Sequence, residues 1–375
     1  MKVLFDSSVL FSKNKGGGVY QYLTEFLPKL ENIFDQNNDL LRYFLLYFRD
    51  YEPTQVLNTR NIYKLKFPVK FINYLWLNFS IPDLSWFIKD IDIFHSPHFS
   101  LPVISKSKKI LTVNDITYLK YPEYYSKKGK KLNDYGYKIL LPTNLNRADH
   151  IITISQHTKS DIIEYFKLHD DKITTIHIGC NIPDKISQEK LSQIISRFGV
   201  SDRSYIYFPA GTFEPRKNIE KTITAFKKVS SQDHNLKLLI SGVGDKSFLK
   251  GGLLQENILI VRWNTIEERN ALYQSAKFII YPSLYEGFGI PALEALANGK
   301  ALLTSNISSL PEIAEDYAVL INPSNEDEIA NGIELLLKDE NLRLNLENKA
   351  VNRAKEFSYN NMATKTYNLY KRILA

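Results

Sequence analysis

This 375-residue chain has one cysteine, Cys180, and only two methionines. A lone thiol closes no internal disulfide, which excludes the disulfide-stapled class and makes a reducing, cytoplasmic setting the expectation. Long apolar runs are also missing. The opening MKVLFDSSVLF meets Asp6 after three apolar residues, too short for a signal-peptide core. No uninterrupted run approaches the roughly 20 apolar residues of a spanning helix, so the chain is not expected to cross a membrane. There is no low-complexity tract and no short-period repeat. A recognised nucleic-acid motif is absent as well, so nucleic acid is not an expected partner.

What is present points to a packed, two-domain protein. Apolar residues make up 44% of a length sufficient for two full cores, with 23 tyrosines and 21 phenylalanines. The net charge of +7 is uneven: residues 1–182 carry 24 basic against 18 acidic side chains, and residues 183–375 carry 24 against 23. Nine lysines lie between Lys106 and Lys138, near the aromatic-rich FINYLWLNFSIPDLSWF of Phe71 to Phe87. Such a pairing suits an anionic membrane surface, where each cation contributes about 1 kcal/mol. It equally suits a solvated lysine-rich loop beside a packed helix.

Short apolar runs alternate with helical patterns along the whole chain. Strands are expected near Lys2–Phe5, Tyr43–Phe48, Asp92–His95, Ile110–Val113 and His150–Ile154. A second set is expected at Tyr205–Phe208, Lys237–Ser241, Ile258–Val261, Phe278–Tyr281 and Ala301–Thr304. Helices are expected over Val19–Leu30, Thr158–Phe166 and Ser358–Ala375. The alternation argues for mainly parallel sheets covered by helices. The expected domains are 1–182 and 203–357, with the polar segment 183–202 as linker.

Two segments carry chemistry. In YPSLYEGFGIPALEALANG, Tyr281 to Gly299, Glu286 and Glu294 flank a glycine turn that opens a helix at Ile290-Pro291. Proline suits a first helical turn and glycine suits the stop. The backbone N–H groups near Gly289 and Ile290 then form an anion site at a helix N-terminus. In YIYFPAGTFEPRKN, an apolar strand leads to the adjacent cations Arg216 and Lys217, suited to neutralising a diphosphate.

Together these segments resemble the C-terminal half of the retaining glycosyltransferases of family 4, the group 1 glycosyltransferases. The family's Glu-x7-Glu signature stands as Glu286 to Glu294, and its Arg-Lys pair as Arg216-Lys217. KGGGVYQYL near the N-terminus, ADHIITISQHTKSDI at 148–162 and LLISGVGD at 238–245 extend the likeness over most of the chain. The resemblance implies an α/β GT-B fold, two Rossmann-like parallel-sheet domains facing across a cleft, with 358–375 crossing back onto the first domain. It implies transfer of a hexose from a nucleotide-diphosphate sugar, GDP-mannose or a UDP-sugar, to a saccharide acceptor, lipid-linked or not, in surface polysaccharide synthesis. A nucleotide-sugar epimerase of the same fold and a catalytically degenerate binding subunit are the alternatives.

The resemblance also distributes roles. Arg216 and Lys217 meet the leaving diphosphate, Glu286 faces the donor sugar, and Glu294 accepts from the ribose hydroxyls. Gly17 and Gly18, Gly242 and Arg262 complete the donor-binding set. On the acceptor side stand His95 and His98, expected at the edge of the cleft, and Asn114-Asp115, where many relatives carry His-Asp. Asparagine takes no proton, so a base role for Asn114 is in doubt and Asp115 is the candidate for orienting or deprotonating the acceptor. Asp90-Ile91-Asp92 mimics an Asp-x-Asp metal motif, but its second aspartate opens a strand and Arg216-Lys217 already supply positive charge. Transfer without a metal or a separate cofactor is therefore expected, the nucleotide sugar being substrate.

Overall fold

The computed structural model describes residues 1–11, 17–48, 61–125, 134–231, 235–244 and 255–375. Gly16, Asp245 and the lysines 127, 128, 130 and 131 lie outside them. The chain divides into two compact units, Met1–Gly179 with Phe357–Ala375, and Cys180–Glu356.

Among the described residues the first unit carries β1 (Lys2–Asp6), β2 (Leu40–Tyr47), β3 (Ile62–Lys66), β4 (Ile93–Ser96), β5 (Lys108–Val113), β6 (His150–Thr153) and β7 (Ile173–Thr175). They form one parallel sheet in the order β3-β2-β1-β4-β5-β6-β7. The central strands β1 and β4 are buried on both faces, as parallel strands covered by helices must be. The Gly18–Gln36 helix buries Tyr22, Leu23, Phe26, Leu27, Leu30 and Phe34, a stripe at helical spacing. It runs beyond the expected end at Leu30 because Phe34 continues that stripe. The Tyr359–Leu374 helix packs against it, with Tyr367 and Tyr370 edge-on to Phe34 at 5.3 and 6.3 Å. Tyr367 also donates to Asp39, which holds the N-terminal ammonium.

The second unit carries β8 (Tyr205–Thr212), β9 (Lys237–Val243), β10 (Ile258–Val261), β11 (Ile279–Tyr281), β12 (Leu302–Ser305) and β13 (Val319–Ile321). Their parallel order is β10-β9-β8-β11-β12-β13. The polar segment 183–202 belongs to this unit, where the Gln188–Ser196 helix buries Leu191, Ile194 and Ile195. Both sheets reverse their strand order once, between β1 and β4 and between β8 and β11. At such a switch point the loops leaving the C-terminal strand ends diverge and open a crevice, where ligands bind in open α/β sheets. Among the described residues, no helix is long and apolar enough to cross a membrane.

Candidate active site

The switch point of the second sheet brings together the residues that the sequence singled out. After β8, Pro215–Lys217 form a short 3-10 turn, and Asn218 turns left-handed to start the Ile219–Ser230 helix. The Asn218 amide donates to the carbonyls of Pro282 and Pro323, fastening this turn to the loop after β11. The Leu284 N–H donates to the Arg216 carbonyl at 2.8 Å, so the two loops are stitched by backbone as well.

Glu286 sits at the centre of the stitched loops. Its Oε1 accepts from Lys217 Nζ at 2.6 Å and from the Tyr281 hydroxyl at 2.8 Å. Its Oε2 accepts from Arg216 Nη1 at 2.8 Å. Lys217 Nζ also lies 2.5 Å from the Tyr281 hydroxyl and 5.0 Å from the centre of that ring. Glu214 accepts from Arg216 Nε at 2.6 Å, completing its orientation. Burial raises the Glu286 pKa, but Arg216 and then Lys217 reverse this and hold the carboxyl down at about 2. Burial lowers the Lys217 ammonium pKa, and Glu286 partly restores it. Both groups are nearly sealed from solvent, Lys217 at 5% and Glu286 at 7% exposure. Charges so buried persist only when paired, and removing one partner of such a pair costs about 3–5 kcal/mol.

Hydroxyls from beyond β12 fix the Glu286 loop. Ser308 Oγ accepts from the Glu286 N–H and donates to its carbonyl, both at 2.9 Å. Ser309 Oγ lies 3.0 and 2.8 Å from the Glu286 and Phe288 carbonyls. Gly289 then takes φ +104 to enter the Ile290–Ala297 helix, and a Cβ there would sit 2.6 Å from Leu310 Cδ2. Conformation and space together require glycine.

Glu294, one turn into that helix, is held separately from Glu286. Its Oε1 pairs with Arg269 Nη1 at 2.7 Å, and its Oε2 accepts from the Tyr273 hydroxyl at 3.0 Å. The Arg269 guanidinium rests over the Trp263 ring, 5.5 Å from its centre. Burial pushes the Glu294 carboxyl up, opposed first by Arg269 and then by the Tyr273 hydroxyl.

Two further donor-set residues of the second unit, Gly242 and Arg262, lie at neighbouring strand ends. Gly242, the penultimate residue of β9, pairs with Gly211, with the Phe213 ring where a side chain would go. Arg262 is exposed after β10, and its neighbour Trp263 is the residue drawn to Glu294 through Arg269. Gly17 and Gly18, in the first unit, begin the Gly18–Gln36 helix.

In the first unit one expectation is corrected. His95 was expected at a crevice edge, yet β4 runs on to Ser96 and places His95 within the sheet at 3% exposure. Its Nδ1 meets the Tyr370 hydroxyl and its Nε2 lies 2.7 Å from Thr112 Oγ1. Burial drives its pKa down to about 3, so it is a neutral core residue with both ring nitrogens engaged. His98, past the strand end, does reach this sheet's switch point, with Nε2 3.5 Å from Asp6 Oδ2 at the end of β1. After β5, the Asn114 amide donates to the Pro97 carbonyl at 3.1 Å, while its Oδ1 is buried without a partner. Asp115 Oδ1 accepts from the Thr117 N–H at 2.9 Å.

Tyr281, Arg269, Tyr273, Ser308 and Ser309 were not singled out in the sequence. The one available signal was position: Tyr281 ends a strand, where a side chain can lean over a C-terminal crevice. Among the described residues, no group of three or more His, Cys, Asp or Glu is placed to hold a metal ion.

A carboxylate paired with two cations at the switch point of a parallel α/β sheet makes a candidate anion-binding site. The family comparisons agree. The group 1 glycosyl transferase model matches residues 192–353, and the Glycosyltransferase Family 4 model matches residues 44–182. O-antigen chain mannosyltransferase B of Escherichia coli is 29% identical over 299 residues, 76% of each chain. O-antigen chain mannosyltransferase RfbU of Salmonella typhimurium is 26% identical over 325 residues, 83% of this chain and 84% of that one. The solved structure of Anabaena Alr3699/HepE in complex with UDP and glucose superposes with a TM-score of 0.71 at 16% identity, covering 99% of this chain and 100% of that chain. The chain belongs to the group 1 glycosyltransferases of the family 4 type and has the GT-B fold.

Proposed function

We propose that this chain is a retaining, metal-independent hexosyltransferase. It moves a hexose from a nucleoside-diphosphate sugar to a saccharide acceptor, lipid-linked, during surface polysaccharide assembly at the cytoplasmic face of a membrane. The observation that carries this is the buried Arg216–Lys217–Glu286–Tyr281 cluster at the switch point of the second sheet. Breaking the sugar–phosphate bond leaves negative charge on the departing phosphate. Cations already fixed where that charge develops stabilise the transition state without reorganising. Arg216 and Lys217 supply them, and the N–H groups opening the Ile290–Ala297 helix add to the field.

The donor count at Glu286 supports an orienting role for it. Each carboxylate oxygen accepts about two hydrogen bonds. Oε1 has two, from Lys217 and Tyr281, while Oε2 has one, from Arg216. An oxygen so occupied is a poor nucleophile, which argues against double displacement. One position on Oε2 remains for a hydroxyl of the donor sugar, so Glu286 orients the sugar while the leaving phosphate helps deprotonate the acceptor. Glu294, aligned by Arg269 and Tyr273, receives the ribose hydroxyls. Asp115 orients the acceptor.

The two mannosyltransferase relatives favour GDP-mannose as donor, and the UDP-bound structural neighbour keeps UDP-sugars in view. The lysines of Lys106–Lys138 contribute attraction to an anionic membrane surface. Asn114, unable to take a proton, supports a second reading, a binding subunit without turnover.

The test is incubation with GDP-mannose or UDP-glucose, with and without oligosaccharide acceptors, reading the product's anomeric configuration by NMR. An α-linked product from the α-linked donor, insensitive to chelator, is expected. Lys217→Ala should lower turnover roughly a hundredfold or more. Inverted product, activity restored only by manganese after chelation, or an epimerised sugar nucleotide formed from donor alone would overturn the reading.

A further inference from the structure

The first unit presents an apolar face that its own core does not use. The Val69–Asn78 helix buries Ile72, Asn73 and Trp76, which leaves Lys70, Phe71, Tyr74 and Asn78 facing outward at helical spacing. Phe71 stacks on Phe67 at 5.8 Å, and Tyr74 meets Phe79 at 5.9 Å. The stripe therefore continues from the strand β3 end past the helix C-terminus. The Trp76 indole donates to the Pro82 carbonyl and ties the following loop to the helix. That loop and the next turn expose Ile81, Trp86 and Phe87. Phe71, Tyr74, Phe79, Ile81, Trp86 and Phe87 are each between 44 and 70% exposed. Single exposed apolar side chains are ordinary, but six within 17 residues of one segment mark an interaction surface.

Charge indicates what covers it. Between residues 61 and 89 stand four lysines, Lys64, Lys66, Lys70 and Lys89, all exposed. The acidic residues in and directly beside that stretch are Asp83, which is buried and accepts from the Ser85 and Ser105 N–H groups, and the exposed Asp90, which lies 3.8 Å from Lys2 Nζ. Protein–protein interface cores are depleted in lysine. Tryptophan and tyrosine interleaved with lysine instead suit the bilayer interface, rings at headgroup depth and ammonium groups on anionic lipid.

We propose that the face formed by Phe71, Tyr74, Phe79, Ile81, Trp86 and Phe87, with Lys66, Lys70 and Lys89 at its margin, seats the first unit on an anionic bilayer. This deepens the membrane-surface reading given above and rests on it for a lipid-linked acceptor. It assigns the contact to side chains of the aromatic segment Phe71 to Phe87, beside the attraction contributed by Lys106–Lys138. Phe71 and Tyr74 insert their rings, and the lysines select anionic headgroups.

The test is co-sedimentation of the full chain with vesicles of phosphatidylcholine alone and of equal parts phosphatidylcholine and phosphatidylglycerol. The chain should pellet with the mixed vesicles and be released by salt. Of its three tryptophans, Trp76 is buried and Trp86 exposed, so brominated acyl chains should quench fluorescence that Trp86→Phe removes. Phe71→Ser with Tyr74→Ser should lower partitioning roughly tenfold or more, and Lys70→Gln and Lys89→Gln about fivefold each. Transfer to a water-soluble acceptor should persist in all of them. Absent pelleting, pelleting that the aromatic variants leave unchanged, or concentration-dependent self-association that they abolish would overturn the docking. Loss of transfer with vesicle binding intact would instead count against the proposed function.

Discussion

Glu286 shows how much of a site is chemistry and how much is fold. Its carboxylate and the two cations were legible as residue types, since adjacent Arg216-Lys217 after an apolar strand is a poor choice for stability alone. Their mutual pairing was not legible. Glu286 lies about 70 residues along the chain from its partners, and only the β8–β11 adjacency brings them within 2.8 Å. The pairing has a pH consequence. Because the folded-state pKa of Glu286 is held at about 2, below the usual 4.5, its contribution to stability is present above the ordinary carboxylate range. It fades as pH falls from there toward 2. Acid titrations of unfolding should show a loss of about 3 kcal/mol in the wild type that is much reduced in Glu286→Gln. Equal acid sensitivity in both proteins would remove Glu286 from the account. Glu294 behaves in the opposite sense, since burial raises its pKa and Arg269 opposes the rise. Arg269→Leu should therefore raise the KM for donor, increasingly as pH falls, with kcat little changed. Arg269 is not legible in the sequence because its role comes from pairing with Glu294, on a different helix.

At the scale of elements, strands built on apolar runs were readable, the edge strand β10 among them. β1, β4, β5, β8, β9 and β11 are short continuous apolar runs, and each was expected within a few residues of its observed span. β3 was missed because lysines interrupt its apolar residues, and β7 because two of its three residues are threonines; the three-residue β13 was missed as well. His95 was misplaced for a related reason. One further strand residue, Ser96, moves it from an exposed end into the core. The turn into the Ile290–Ala297 helix was legible because glycine and proline mark it. Gly289→Ala should cost about 1–3 kcal/mol, from positive φ and the Leu310 contact. Thermal unfolding should register this as a Tm drop of several degrees. An unchanged Tm would mean that the loop relaxes at no cost.

The whole molecule is two parallel-sheet units with different surfaces. The first carries the basic excess and the exposed aromatic face, and the second carries the paired cations at its switch point. The two-domain α/β class followed from alternating apolar runs and helical patterns, and the family models cover most of both halves. The sugar and the acceptor are set by pocket shape, which one sequence does not encode in any local pattern. Binding of the correct nucleoside diphosphate at about 100 times its Kd should stabilise the chain by roughly 2.7 kcal/mol, so a thermal-shift series across GDP, UDP, TDP and ADP identifies the base. A flat series would mean that none of the four is the nucleotide.

The central claim is that Arg216 and Lys217, held by Glu286, grip a pyrophosphate. Calorimetric Kd values for GDP against GMP, and for UDP against UMP, test it most directly in wild type and in Arg216→Ala. The wild type should prefer its diphosphate over the matching monophosphate by roughly tenfold or more, as a charge-assisted pair warrants, and Arg216→Ala should erase most of that preference. An unchanged diphosphate preference in the variant would contradict the account.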